Sequence, residues 1–354
     1  MNLKSKLITA FLVLGLIPAF VLGWQVYQAS LRMEQGTTNM FQNVASQVVD
    51  KIDRNLFERY GDVQAFGANR AVLDRASWYR AGSENNAIAR VANRYANLYG
   101  FYLLSMLVDL EGRVIAVNDR DPSGRPINTA WLYNKNFKNS DWFQSVQTGR
   151  FLSSSDGSLT GTYVQDVYVD EDIKQVYGGE ALVLGFSAGV KDEQGRVIAV
   201  WNNRATFSLV EEIFVSAYRD LKSQSFGSAE LTLVDRTGRV LVDYDPTRDG
   251  GNLAVGHDLG VLLKLNLAER GVEGAKRVVL GESGGVRSLN ARKNMWQTSG
   301  YAVSAGALGF PGLKWGALVR VDEAEALAAM RSLHHKVFWV LGLAVLGLTC
   351  NAPR

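Results

Sequence analysis

Residues 107–117 read LVDLEGRVIAV, and the pattern returns as VKDEQGRVIAV at 190–200 and as LVDRTGRVLVD at 233–243. Each copy has an Asp at the start of a turn and a Gly three residues later, between short runs rich in apolar and β-branched residues. An Asp side chain bonds readily to the backbone of such a turn, and Gly tolerates its left-handed position. Each copy therefore predicts a β-hairpin.

A fourth and more degenerate hairpin is predicted from Tyr301–Ser304 and Trp315–Val319, which are joined through Gly306 to Gly312. Four hairpins in two pairs indicate two similar modules in tandem. Between the pairs, Ser208 and Glu211 have the spacing of a capping box and predict a connecting helix. Antiparallel sheets packed on helices belong to the α+β class.

A long helix is predicted before the first module, because apolar side chains recur there at spacings of three and four: Phe41, Val44, Val48, Ile52 and Leu56. We expect it to continue to about Asn69, and a second helix to begin at Ser83 and end at Gly100. A long exposed apolar stripe needs a partner, so the first helix also predicts a parallel homodimer, which a Val48→Asp change would weaken.

The two ends of the chain differ from its middle. Residues 7–31 contain no charge, and 7–24 are about long enough to cross a bilayer, after Lys4 and Lys6 on the side expected to be cytoplasmic. A cleaved signal peptide is the alternative. A second apolar run at 337–348 is shorter than a full span. We therefore expect a membrane helix cut short, in a fragment or a truncated reading frame, and an extracytoplasmic middle.

The composition excludes several classes of function. The 354 residues include 38 basic and 35 acidic side chains without a basic patch, so no nucleic-acid partner is expected. The chain has one cysteine and three histidines, which leaves no internal disulfide and no multi-cysteine zinc pattern. No nucleophile elbow or phosphate loop is present, so we expect neither an enzyme nor a bound cofactor or metal.

Three short segments occur in this order along the chain: DWFQSV at 141–146, VIAVWN at 197–202 and GLKWG at 312–316. With the long helix and the two apolar runs, this layout resembles the double Cache sensor domain of bacterial methyl-accepting chemotaxis receptors. The resemblance covers most of residues 1–354. It implies a long N-terminal helix and two tandem PAS-like modules with antiparallel sheets, flanked by transmembrane helices.

The resemblance also implies boundaries along the chain. They are a cytoplasmic N-terminus at 1–6, a transmembrane helix at 7–29, a long helix at 30–75, a membrane-distal module at 76–205, a connecting helix at 206–226, a membrane-proximal module at 227–321, an exit helix at 322–336 and the start of a second transmembrane helix at 337–354. The sensor would lie outside the bacterial inner membrane, in the periplasm or beyond.

The function implied by the resemblance is ligand sensing for chemotaxis. Such receptors bind a small molecule in the distal module and signal through the second membrane helix to a cytoplasmic module, which is absent from this chain. Three alternatives remain open: the sensor of a membrane histidine kinase or nucleotide cyclase, a membrane-tethered periplasmic enzyme, and a spacer that binds nothing.

Residues 131–204 form the stretch richest in aromatic side chains, with polar groups interleaved. Small-molecule pockets combine apolar walls with a few polar groups, and aromatic faces also hold cationic amines. We therefore select a set of candidate ligand-binding residues: Trp131, Tyr133, Asp141, Trp142, Phe143, Tyr163, Asp166, Trp201 and Asn203. Each of these aromatic side chains also suits a hydrophobic core.

The amino-acid-binding branch of the resembled family shows Arg-x-Trp-Tyr, then Tyr-x-Asp, then a final Asp. Here Ser140 stands at the Arg position, Trp142 at the Trp position and Phe143 at the Tyr position. Tyr163 matches the next Tyr, but Gln165 stands two residues on.

The final Asp of that pattern is replaced by Trp201 or Asn202. An ordinary α-amino acid is therefore not the expected ligand. A grip on a carboxylate is left to Arg125, Arg150 or Arg204, among which the sequence does not choose.

Overall fold

The computed structural model describes residues 3–248, 250–290, 293–328, 330–332, 336–337 and 339; the side chains of residues 3–16, 18 and 19 are outside that description. A single helix, α1 (Leu3–Gly67), precedes everything else. Two modules follow, each built on a five-stranded antiparallel sheet.

The first module has these elements: α2 (Ala87–Tyr99), β1 (Tyr102–Asp109), β2 (Val114–Val117), α3 (Asp141–Gln147), β3 (Thr162–Val169), α4 (Glu171–Tyr177), β4 (Leu182–Lys191) and β5 (Val197–Thr206). Short 3-10 turns lie at Arg70–Leu73, Arg75–Ser77 and Ala130–Asn134. The strand order is β2-β1-β5-β4-β3, which places β5 at the centre of the sheet.

The connecting helix α5 (Ser208–Ser223) leads to the second module. Its elements are β6 (Glu230–Val234), β7 (Val240–Tyr244), α6 (Glu273–Val279), β8 (Gly284–Asn290), β9 (Met295–Val303), β10 (Gly316–Asp322) and α7 (Glu323–Ala326). The strand order is β7-β6-β10-β9-β8. This repeats the first sheet with β10 in the place of β5, so the predicted α+β fold of two tandem modules is confirmed.

The Asp-to-Gly turns of the repeated hairpins form as predicted. Asp109 Oδ1 accepts backbone hydrogen bonds from Glu111 at 3.0 Å and from Arg113 at 2.9 Å. Gly112 has a φ of 81°, and the equivalent Gly238 has a φ of 92°. The two turns differ in sequence but share one geometry, because one Asp oxygen closes the turn and one Gly takes the left-handed conformation.

The apolar stripe of α1 is buried within the chain. Phe41, Val48, Ile52 and Leu56 are at most 2% exposed and belong to a single core that reaches both sheets. The argument that this stripe requires a second copy of the chain is therefore wrong, because the chain's own sheets cover it. Val48→Asp is now expected to destabilise the fold, and the homodimer stays a prediction without this support.

The contact between α1 and β9 is a backbone-to-backbone contact at Gly300. A Cβ added there would lie 2.1 Å from the backbone nitrogen of Gln42 and 2.1 Å from the carbonyl carbon of Phe41. Real Cβ atoms do not approach backbone atoms so closely, so only glycine lets the helix rest on the strand at this point.

Two helix starts differ from the prediction. Asn86, not Ser83, caps α2, and its Oδ1 accepts hydrogen bonds from the backbone of Ile88 at 2.9 Å and Ala89 at 3.2 Å. At the start of α5 the predicted capping box does not form, because the carboxylate of Glu211 bonds to His257 instead.

Within the described part of the chain, no helix is both long and apolar enough to cross a membrane. The first predicted membrane segment, 7–29, lies in α1, where many of its side chains are outside the description. The second, 337–354, lies almost wholly outside the described residues. Both membrane helices therefore stay predictions.

His257 joins three parts of the fold. Its Nδ1 lies 2.9 Å from Glu180 Oε2, in the loop before β4, and its Nε2 lies 2.7 Å from Glu211 Oε1, in α5. Hydrogen bonding to Glu211 raises the pKa of His257, and partial burial opposes that rise. Two carboxylate acceptors favour the imidazolium, in which both ring nitrogens donate.

A first prediction concerns the contact at Gly300. Gly300→Ala should lower the free energy of unfolding by about 3 kcal/mol, because the added methyl group forces α1 away from β9. Gly36→Ala, in an open part of α1 with nothing within 4 Å, is the matched control. It should stabilise the protein by roughly 0.5 to 1 kcal/mol. Urea unfolding of the two variants measures both effects, and equal stabilities would contradict the proposed contact.

A second prediction concerns pH and His257. The pKa of His257 is raised in the folded state, so its stabilising contribution is complete below its ordinary unfolded pKa and disappears as the pH rises through the folded value. The difference in unfolding free energy between the natural protein and a His257→Gln variant should therefore shrink from acidic to alkaline pH, from on the order of 1 kcal/mol. A difference that stays constant with pH would show that the imidazolium does not hold this contact.

Candidate functional site

A cavity of about 230 Å³ opens in the first module, on the side of the sheet opposite to α1. It lies between α3, the end of β3, the start of α4 and the central strand β5. Its lining combines three aromatic side chains with a dense set of charges: Lys135, Phe137, Ser140, Asp141, Trp142, Gln165, Tyr168, Val169, Asp170, Glu171, Asp172 and Arg204.

The aromatic wall is positioned by the first hairpin. The backbone nitrogen of Phe137 donates to the carbonyl of Gly112 at 2.8 Å, which holds the loop against the turn. A Cβ on Gly112 would lie 2.3 Å from the backbone nitrogen of Lys138, so the turn must be glycine for this loop to pack there. Trp142 in α3 is 5% exposed, and its ring centroid lies 5.5 Å from that of Phe137.

The charged wall centres on Arg204 of β5, whose side chain is 3% exposed. Its Nη1 donates to Asp170 Oδ1 at 3.1 Å and to Asp172 Oδ2 at 2.8 Å, and its Nε donates to Asn202 Oδ1 at 3.1 Å. Lys135 bonds to the other oxygen of Asp172. The remaining terminal nitrogen, Nη2, donates no hydrogen bond to any residue that the structure describes.

Asp170 is fixed by its position at the start of α4. Its Oδ1 caps the helix by accepting from the backbone of Ile173 at 3.0 Å, and its Oδ2 accepts from the hydroxyl of Tyr168 at 2.9 Å. Burial raises the pKa of Tyr168, so this hydroxyl keeps its proton and donates. The two acids and the arginine therefore form a rigid, hydrogen-bonded group.

The cavity carries an excess of negative charge. Burial acts to raise the pKa of Asp172, but Arg204 and Lys135 outweigh it and hold that pKa below its ordinary value. Four acidic side chains line the cavity against two basic ones. A positive group on a ligand is thus favoured, with an aromatic face beside it.

The structure brings only some of the predicted site residues to the cavity. Asp141 and Trp142 line it. Trp131, Tyr133, Phe143 and Tyr163 belong to the hydrophobic cluster behind its wall but do not line it. The hydroxyl of Tyr163 bonds to Asp141, so it positions a lining residue.

Three predicted residues lie on the other side of the sheet. Trp201 is fully buried against α1, and its Nε1 donates to Asn203 Oδ1 at 2.8 Å. Successive side chains of a strand alternate between faces, so Asn202 and Arg204 point to the cavity side instead. Asp166 accepts a hydrogen bond from Trp315 Nε1 of the second module at 3.3 Å.

Sequence analysis did not single out the two groups that dominate the cavity, Arg204 and the pair Tyr168 and Asp170. Arg204 was one of three open choices, and the structure separates them, because the side chains of Arg125 and Arg150 are 81% and 57% exposed. Tyr168 and Asp170 have the Tyr-x-Asp spacing that the resemblance predicts, five residues after the Tyr163 chosen from the sequence. That spacing was a usable signal.

No family model matches the chain, and no curated protein matches it. Solved structures do. The ligand-binding domain of the Pseudomonas fluorescens chemoreceptor CtaA in complex with L-alanine is 16% identical, with a TM-score of 0.50 over 82% of this chain and 99% of that one. The ligand-binding domain of the Pseudomonas aeruginosa PAO1 amino acid chemoreceptor PctC with GABA is 17% identical, with a TM-score of 0.51 over 81% and 100%.

The ligand-binding domain of the Campylobacter jejuni chemoreceptor Tlp3 with L-valine is 12% identical, with a TM-score of 0.52 over 84% of this chain and 97% of that one. At these identities the likeness establishes the fold. The predicted fold of a long helix and two tandem modules with antiparallel sheets is therefore shared with these ligand-binding domains over most of the chain.

A third prediction tests the charged wall. Arg204→Gln should lower the free energy of unfolding by about 3 to 5 kcal/mol, because Asp170 and Asp172 would lose their buried counter-charge. Arg150→Gln breaks an ion pair with Asp141 whose two side chains are more than half exposed, so it should cost less than about 1 kcal/mol. Denaturant unfolding compares the two variants, and similar losses would show that Arg204 is not a buried structural charge.

Proposed function

We propose that this chain is the ligand-sensing part of a transmembrane chemoreceptor. It is anchored by its apolar N-terminal segment, lies outside the cytoplasm, and uses the first module as the membrane-distal sensor. The observation that carries the proposal is the distal cavity, where an aromatic wall meets a fixed cluster of acids at the N-terminus of α4. The fold shared with three chemoreceptor domains supports it.

The ligand class that fits this cavity is a small molecule with a cationic amine. The three similar domains were solved with L-alanine, GABA and L-valine, and each of these molecules has an amino group. In this chain the acidic excess of the lining, with the exposed Glu171 at the rim, and the ring of Trp142 supply the counter-charge and the aromatic face that an ammonium group prefers.

An α-carboxylate is less well accommodated than the amine. Ser140 lines the cavity at the position where the amino-acid-binding pattern has Arg. Arg204 is present, but its Nη1 is engaged by two aspartates, which leaves Nη2 as a single donor rather than a two-pronged grip. Amines without a neighbouring carboxylate should therefore bind better than α-amino acids.

Signal output would start from the strands that border the cavity. The central strand β5 passes through Phe207 directly into α5, and the second module ends in β10 and α7, which precede the second predicted membrane segment. Binding would shift the distal module, and this shift would move the second membrane helix as a small piston or rotation.

A fourth prediction tests the ligand class with three molecules that share a four-carbon chain: butylamine, GABA and the α-amino acid 2-aminobutyrate. Isothermal titration of the purified full chain should rank them in that order of affinity. Trp142→Ala should abolish butylamine binding. Glu171→Lys reverses an exposed charge at the cavity rim and should weaken binding about fivefold.

The matched control for that charge reversal is Glu193→Lys, because Glu193 is an exposed acid of the same module that does not line the cavity. It should leave the affinity unchanged. Tightest binding by 2-aminobutyrate would reject the amine preference. No binding of any of the three to the folded protein would reject a direct amine sensor.

A further inference from the structure

A second and larger cavity, of about 530 Å³, lies in the proximal module. Its apolar lining comes from Val240, Leu265, Leu267, Val272 and Leu289. Two arginines, Arg270 and Arg320, also line it. A cavity of this size with apolar walls and a few charged groups has the general character of a ligand site.

This cavity occupies the same place in its module as the distal cavity does in the first. Arg204 of β5 lies opposite Leu104 of β1, and Arg320 of β10 lies opposite Glu230 of β6. Leu233 repeats Leu107 in the hairpin pattern, so three residues earlier Glu230 repeats Leu104. The two arginines are therefore equivalent positions on the two central strands.

A wall of the cavity is repeated as well. The backbone nitrogen of Leu267 donates to the carbonyl of Gly238 at 2.8 Å, as that of Phe137 does to Gly112. Each donor belongs to a loop that is held against its first hairpin and places an apolar side chain in the cavity. The repeat thus preserves both the arginine and the loop that faces it.

Arg320 has an unused donor in this setting. Its side chain is 10% exposed, and its Nη2 donates to Thr232 Oγ1 at 2.8 Å and lies 3.3 Å from Glu230 Oε2. Its buried Nε has no hydrogen-bond partner among the described residues. A buried donor without an acceptor destabilises the fold. A ligand that supplies an acceptor for Arg320 Nε would therefore bind more tightly.

The charge balance differs from that of the distal cavity, because two acids and two arginines line this one. The two acids of the lining already have partners, because Asp243 pairs with Arg248 at 2.8 Å and Glu273 pairs with Arg277 at 2.9 Å. Arg270 is exposed at the mouth and makes no ion pair with any residue in the described ranges. The cavity therefore offers positive charge to an anion.

We infer that the proximal cavity binds a small organic carboxylate with a short apolar chain. The carboxylate oxygens accept from Arg320 Nε at the base and from Arg270 at the mouth, and the chain packs against Leu265, Leu289 and Val272. This second site does not depend on the ligand proposed for the distal cavity. The chain would then report two chemically opposite signals through one second membrane segment.

The probes are acetate, butyrate and hexanoate, with butylamine as the cation of butyrate's length. Isothermal titration of the purified full chain should give saturable binding of butyrate. Arg320→Gln should weaken it about tenfold or more, and Arg270→Ala about threefold. The matched control is Lys264→Ala, because Lys264 is an exposed cation between Leu263 and Leu265 that does not line the cavity. It should not change the affinity.

Circular dichroism confirms that each variant is folded; if Arg320→Gln does not fold, Arg270→Ala alone decides. No saturable binding of any of the three carboxylates overturns the inference. Butyrate binding that Arg270→Ala leaves unchanged overturns it too, as does full competition by butylamine. Butyrate binding is measured separately from butylamine binding. The proposal for the proximal cavity can therefore be tested even if butylamine does not bind at the distal cavity.

Discussion

The packing of one helix against two sheets is the constraint on which the rest of this structure depends. Neither module has a closed apolar core of its own on the side that faces α1; Phe41, Ile52 and Leu56 fill that side for both. At Gly300 the helix and strand backbones touch, so the position of the second sheet along α1 is fixed by sterics and not only by apolar contact. The opposite face of each sheet is covered by a smaller hydrophobic cluster, and each of these faces carries a cavity.

The same scaffold position serves two different chemistries. An arginine stands at the same point of each central strand, but its neighbours differ. In the distal module Asp170, which caps α4, and Asp172 within α4 pair with Arg204, and the four acids of the lining outnumber its two basic side chains. In the proximal module Glu230 lies on the neighbouring strand and is itself paired with Lys293 at 2.5 Å. The charge of each cavity therefore depends on the side chains around the arginine and not on the arginine itself.

Much of the fold was predictable from the sequence, but the faces of the central strands were not. The repeated Asp-to-Gly turns predict the hairpins, because a turn is formed by residues that are neighbours in the sequence. Strand β5 is buried on both faces from Ala199 to Ala205, so no polar and apolar alternation tells which side chains face the cavity. Trp201 and Asn203 were selected from the aromatic and polar composition of the segment, and nothing in the sequence separated Arg204 from two other arginines.

The partner of an apolar stripe is equally hidden from the sequence. Spacing along α1 predicts a buried face, but periodicity carries no information on whether a second copy or the chain's own sheets bury it. The Tyr-x-Asp spacing of Tyr168 and Asp170 is visible in the sequence, but the shift in strand pairing between Gln165 and Tyr168 is not. Long-range packing decided each of these points.

The distal cavity is mechanically joined to the proximal module through α4. Asp170 caps the N-terminus of this helix and also lines the cavity, while Glu180, three residues after its end, is bonded to His257 of the proximal module. The seven-residue helix α4 and the two glycines that follow it, Gly178 and Gly179, are thus the only segment of chain between the acids of the cavity and the carboxylate that holds His257. On the opposite face of β3, Asp166 contacts Trp315 next to β10. The two contacts therefore join the first module to different parts of the second: to the loop between β7 and α6 through His257, and to the start of β10 through Trp315.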